Sequence, residues 1–100
     1  MVLKIIWSPQ ALSTYIAILE YLEKEWSDKE VNNFISRVNE KLALLITQPR
    51  LGRITNKKTN LYRTVLHKRV TLVYVYQPNK KEIELVTFWN NWNDPNKFIG

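Results

Sequence analysis

The side chains best suited to chemistry lie between Arg50 and Arg69, where seven bases occur without one acid: Arg50, Arg53, Lys57, Lys58, Arg63, Lys68 and Arg69. Within this run the segment LYRTVLH, residues 61–67, reads as a strand. Two-residue alternation then places Arg63, Val65 and His67 on one face and Tyr62, Thr64 and Leu66 on the other. Four steps of about 3.3 Å put Arg63 and His67 roughly 13 Å apart, too far for a direct hydrogen bond but suited to lining one groove. With Lys68 and Arg69 at the next turn and Arg53, Lys57 and Lys58 in the preceding segment, that groove is cationic. A phosphate backbone is its simplest ligand. An acidic protein partner fits the same charge, and a solvated surface that binds nothing is the plain alternative.

A metal-free ribonuclease site would need a base for the 2′-hydroxyl, an acid for the leaving 5′-oxygen and cations for the phosphorane. His67, the single histidine, is the only side chain here with an ordinary pKa near neutrality. Arg63 or Arg53 could stabilise the phosphorane, and Tyr74 or Tyr76 could act as the acid if placed nearby. Against this, a lone histidine beside a hairpin turn is more often a surface residue, and strand tyrosines more often pack in a core. Trp89 and Trp92 stand in a polar, asparagine-rich stretch, where they could stack on bases, seat a partner's side chain or cap the end of a sheet. The chain has no cysteine, no HExxH and no glycine-rich strand-to-helix loop, so neither a metal nor a cofactor is expected.

The elements that would position these groups follow from periodicity. VLKIIW, residues 2–7, is a short β-branched and aromatic run that stops at Ser8-Pro9, a helix start. From Gln10 to Trp26 the apolar residues Leu12, Tyr15, Ile16, Leu19, Leu22 and Trp26 recur at helical spacing. Ser27 and Glu30 form a capping box for a second helix with the stripe Val31, Phe34, Ile35, Val38, Leu42, Leu45 and Ile46, ending near Gln48-Pro49. The short break at Ser27 predicts a helical hairpin. Residues 49–60 read as an exposed connecting loop, and Leu61–Leu66, Val70–Tyr76 and Ile83–Trp89 as an antiparallel meander. NNWNDPNKFIG, residues 90–100, reads as a loop or tail. The order β-α-α-β-β-β predicts an α+β fold with the helix pair on one face of a twisted antiparallel sheet.

One hundred residues, 45% hydrophobic and 24% charged, fit a single domain spanning 1–100. The net charge of +6 is uneven: residues 1–48 hold five basic and six acidic side chains, residues 49–100 ten and three. Lack of cysteine suits a reducing cytoplasm. No apolar run reaches the roughly 20 residues of a spanning helix, and the start, MVLKIIWSPQ, has no signal-peptide pattern, so a membrane or secreted protein is not expected.

Four segments carry a family resemblance: IIWSPQALSTYIAILEYL, the PRLGR turn, LYRTVLHKRVTLVYVY and IELVTFWNNWNDPNK. In order and spacing over residues 3–97 they resemble the RelE/ParE superfamily of bacterial toxin–antitoxin toxins, also called plasmid stabilisation proteins. The resemblance implies a helical hairpin on a twisted antiparallel sheet and a growth-inhibiting toxin of a type II module. It also implies a cognate antitoxin that wraps the toxin. RelE-like members cut messenger RNA in the ribosomal A site with Lys, Arg and a late Tyr or His, whereas ParE-like members poison DNA gyrase. Arg63 sits on the strand that supplies cations to the RelE-like cluster. The next strand, however, opens Val70-Thr71-Leu72 without the expected arginine, Trp92 stands where many relatives have one, and no Tyr or His follows residue 76. This incomplete cluster favours a ParE-like or otherwise non-nucleolytic toxin, or a decayed copy. The expected target surface comprises Arg53, Lys57, Lys58, Arg63, His67, Lys68 and Arg69 with Trp89 and Trp92. The rival is a ribosome-dependent mRNA endonuclease with Arg63 and His67 catalytic, and a third reading is a nontoxic nucleic-acid-binding module.

Overall fold

The computed structural model describes residues 3–67 and 70–90, which form strand β1 (Lys4–Trp7), helices α1 (Pro9–Glu25) and α2 (Asp28–Thr47), and strands β2 (Arg53–Asn56), β3 (Leu61–His67), β4 (Val70–Gln77) and β5 (Glu82–Asn90). Both helices start where the sequence predicts. The Ser8 hydroxyl accepts from the Ala11 N–H at 3.0 Å with Pro9 in the first turn, and the Ser27 hydroxyl accepts from the Glu30 N–H at 3.4 Å. The α2 stripe buries Phe34, Val38 and Leu45 and ends at Gln48.

The helix pair covers one face of a five-stranded sheet of order β1-β5-β4-β3-β2. Strands β3 to β5 pair antiparallel as expected, and β2 adds antiparallel to β3, but β1 joins β5 in parallel, Lys4 opposite Glu82 and Trp7 opposite Leu85, so the sheet is mixed. A second difference lies in residues 49–60, read as loop: four of them form β2, a short edge strand exposed throughout and therefore without a buried period. The third concerns α1, which buries Ala11, Ile18 and Leu22, with Tyr15 and Leu19 partly covered, while Leu12, Ile16 and Trp26 remain 50%, 45% and 61% exposed. The small Ala11 lets the helix approach the sheet closely, and the apolar arc of α1 is wider than the stripe it buries.

Where β1 stops, α1 takes over the edge of β5. An extra residue in β5 breaks its register with β4 beside Tyr74. Around this bulge the Ser8 N–H donates to the Leu85 carbonyl at 3.2 Å and the Ser8 hydroxyl to the Val86 carbonyl at 3.0 Å. Farther along, the Phe88 N–H donates to Thr14 Oγ1 at 3.0 Å, and the Thr14 hydroxyl lies 2.9 Å from the Gln10 carbonyl. Below these polar contacts Tyr15 packs on Trp7, Phe34 and Phe88 with ring centroids 5.2–5.9 Å apart. Thr14→Val keeps the shape but leaves the Phe88 N–H without its acceptor. It is expected to lower unfolding free energy by about 1–3 kcal/mol in urea titrations, with Thr14→Ser recovering most of the loss.

Candidate functional site: a cationic cleft on the open sheet face

The face of the sheet turned away from the helices is set by the buried alternates. Tyr62, Leu66, Leu72 and Tyr74 enter the core, which leaves Arg63, Val65, Thr71 and Val73 for the open side. On that side Arg53 of β2 stands directly opposite Arg63 of β3. Facing positions of an antiparallel pair hold their Cβ atoms about 4.5–5.5 Å apart, where like charges destabilise the pairing. The two arginines flank an open cleft of about 470 Å³ lined by Leu51, Gly52, Arg53, Arg63, Thr64, Val65 and Thr71. Val65 is 64% exposed beside them, so the cleft joins cationic to apolar surface.

A buried phenol holds the edge of this cleft in place. Tyr74, fully buried on β4, donates its hydroxyl to the Pro49 carbonyl and accepts from the Gly52 N–H, both at 3.0 Å. Gly52 is required by the close approach: a Cβ there would lie 2.5 Å from the Arg63 carbonyl oxygen and 2.8 Å from the Tyr74 hydroxyl. The PRLGR turn is thus fastened against β3 and β4, and its last residue, Arg53, enters β2 opposite Arg63. Burial pushes the Tyr74 pKa above its ordinary value, the Gly52 bond opposes that, and nearby Tyr62 adds a smaller rise.

The predicted site residues separate on this frame. Arg53 and Arg63 come together. His67 does not join their row, because a register shift between Val65 and His67 breaks the alternation and sets His67 opposite buried Val70. Lys57 and Lys58 sit in the turn between β2 and β3, where the Asn56 side chain accepts from the Lys58 N–H at 2.9 Å. Trp89 lies opposite Thr71, across β4 from Val65, on the same open face. Tyr74 is engaged as a structural donor, and Tyr76, opposite core Ile83, lies under the Arg50 guanidinium at 4.9 Å from its ring centroid. Of the predicted tail 90–100, Asn90 ends β5, and residues 91–100, with Trp92 among them, lie outside the described residues, as do Lys68 and Arg69. Gly52 and Thr71 line the cleft without having been singled out. The sequence signal for Gly52 was its place in PRLGR as one of only two glycines in the chain.

Chemically the cleft can hold an anion. Two guanidiniums on neighbouring strands offer forked donors to a phosphate or carboxylate, and among the described residues no carboxyl, imidazole or phenol lines the cleft. Because Arg53 and Arg63 repel, Arg53→Ala should leave the melting temperature unchanged or higher while lowering growth inhibition in cells. A second outcome concerns alkali. A tyrosine whose folded pKa is raised contributes stability that is fully present below its unfolded value, near 10, and lost as pH climbs toward the folded value. Wild-type protein should therefore lose stability above about pH 10, and Tyr74→Phe should show a shallower alkaline decline from a lower starting stability in pH-dependent denaturation.

Comparison with known proteins places this arrangement. The sequence profile of the ParE toxin of the type II toxin–antitoxin system parDE matches residues 5–93. No curated protein matches the sequence. Among solved structures, the chromosomal ParDE toxin–antitoxin system of P. aeruginosa has a chain that superposes with a TM-score of 0.70 at 13% identity, covering 89% of this chain and 96% of that one. The intact E. coli RelBE toxin–antitoxin complex gives 0.61 at 12% identity, with 88% and 95% covered. The YoeB dimer from Staphylococcus aureus gives 0.62 at 21% identity, with 92% and 100% covered. Two helices on a five-stranded mixed sheet are the fold these toxins share, and the profile match over most of the sequence assigns the chain to the ParE toxin family of type II toxin–antitoxin systems.

Proposed function

We propose that the chain inhibits growth as a gyrase poison that works by binding, through the Arg53–Arg63 cleft and its apolar rim, and is held inactive by a cognate antitoxin. The observation that carries this reading is the separation of groups on β3: the strand presents Arg63 to the cleft with Arg53 beside it, while the register shift takes the only histidine out of that row. A nuclease cleft needs a proton-transfer group beside its cations. The chain belongs to the ParE toxin family, and its resemblance to ParE-like members, which poison DNA gyrase, supports the same target. An antitoxin with an acidic or amphipathic segment suits a cleft that mixes arginines with Leu51 and Val65, and the cytoplasm, which holds both partners, is where the toxin would act.

The alternative is a ribosome-dependent mRNA endonuclease, favoured by the position of Arg63 on β3 and by the fold shared with RelE-type toxins. Induced expression of the chain in bacteria separates the two. Growth arrest with a DNA-damage response and intact messages is expected, together with loss of supercoiling by purified gyrase. Arrest with in-frame cuts in translated messages would replace the gyrase reading with the nuclease. Arg53→Ala and Arg63→Ala should each weaken gyrase inhibition about tenfold or more, the scale of a lost charged hydrogen bond.

A further inference from the structure

Two turns project from one end of the sheet: residues 57–60 join β2 to β3, and residues 78–81 join β4 to β5. The Tyr76 N–H donates to the Asn60 carbonyl at 3.1 Å and ties the base of one hairpin to the other. Their midlines are two strand spacings apart, about 10 Å. Between them lies a shallow cleft of about 250 Å³ whose lining includes Lys58, Asn60, Tyr76 and Lys80 and no carboxylate. Lys57, Lys58, Lys80 and Lys81 are all exposed at these tips, and exposed Lys4 joins them through its N–H, 3.0 Å from the Lys81 carbonyl. Two carboxylates lie near this end on β5: Glu84 accepts from Gln77 Nε2 at 3.3 Å, and Glu82 stands opposite Lys4 in the sheet register, and neither lines the cleft.

Three further observations point to a ligand. Lys81 adopts φ 56°, a left-handed conformation that glycine or asparagine would hold with less strain, so the chain keeps a cation where another residue would suit the turn better. Among the described residues the charge is also polarised. Helix α1 passes Leu85 at Ser8 and Phe88 at Thr14, running along β5 away from the turns. Toward the opposite end it carries Glu20, Glu23 and Glu25 with Lys24, and across the interhelix turn come Asp28 and Glu30 with Lys29, five acids to two bases. Finally, the one ring lining the cleft, Tyr76, already has the Arg50 guanidinium 4.9 Å from its centroid, so it offers no open platform for a splayed base. Single-stranded nucleic acid is held largely by such stacking. Tips about 10 Å apart instead set lysines where they can reach phosphates on both walls of a B-form minor groove, about 6 Å wide.

We propose that the hairpin end of the sheet is a docking surface for duplex DNA that engages phosphates and reads no bases. It lies beyond Leu61 at the strand ends, apart from the Arg53–Arg63 cleft, and its ligand does not depend on what that cleft binds. The polarised charge turns this end toward a polyanion during diffusional encounter.

The test uses the full chain and a short fluorescein-labelled DNA duplex, with anisotropy followed across a salt series and no gyrase present. If four lysines each neutralise one phosphate, the slope of log K on log salt is about −3.6, and Lys57→Ala/Lys58→Ala/Lys80→Ala makes it shallower by about 2.7 while weakening binding at least about tenfold at low salt. Lys81 is kept so that its turn is undisturbed, and an unchanged circular dichroism spectrum and melting temperature show that the variant is folded. Absence of salt-dependent duplex binding by the folded wild type, or a slope unchanged in the variant, overturns the proposal. Tighter binding to an RNA duplex, to single-stranded DNA or to polyglutamate overturns it as well. Failure of the gyrase reading leaves these results untouched, since they are obtained without gyrase.

Discussion

A tyrosine hydroxyl cannot sit in an apolar core without partners, and Tyr74 finds both of its partners in one turn of another element. This requirement ties the end of α2 and the start of β2 to the middle of the sheet. Pro49 supplies an acceptor, Gly52 supplies a donor, and only a residue without a Cβ can come close enough to do so. Because burial disfavours the phenolate, the donor persists throughout the neutral range. The consequence reaches the surface: Arg53 is delivered opposite Arg63, a pairing that its own electrostatics oppose and that the scaffold beneath must therefore impose.

The two faces of the sheet divide the work between stability and recognition. Toward the helices, Tyr74, Phe88, Leu72, Ile83 and Leu85 are almost wholly buried. On the other face no described helix lies above the sheet, Val65 is exposed, and Arg63 and Val73 are partly so, while Thr71 is buried between its neighbours. Such a surface has little to contribute to folding, so its composition is free to follow a partner. The cleft on this face joins the cations Arg53 and Arg63 to an apolar rim at Leu51 and Val65.

Local features of the fold are legible in the residues. Ser8-Pro9, Ser27 with Glu30, and Gln48-Pro49 mark helix ends through bonds made within a turn, and β3 to β5 follow from alternation and short turns. What the sequence hides depends on distant partners or on register. Nothing in KIIW says that it will lie parallel to a strand almost eighty residues away, and RITN, exposed on every residue, lacks the buried period that marks a strand. Leu12 and Ile16 match helical spacing as well as Ala11 and Ile18 do, and only the approach of β5 decides between the two arcs. The same holds at the site. The shared strand of Arg63 and Val65 was readable, whereas one extra residue in β3 was enough to move His67 out of their row. Gly52 and Tyr74 left weaker traces, since their roles rest on fit and burial rather than on reactive groups.

The parallel pairing of β1 with β5 also has a consequence in time. Among the described residues β1 has a single neighbour in the sheet, and that neighbour is β5, the last of the five strands in sequence. During synthesis the first strand has no hydrogen-bonding edge to join until residues 82–85 have been made, and the Ser8 contacts with Leu85 and Val86 must wait as well. Contacts of such sequence separation slow folding and cannot form on a growing chain. The helical hairpin can assemble early, but the sheet it rests on closes only once β5 has been made, so a product ending before residue 82 would lack both β5 and a secured β1.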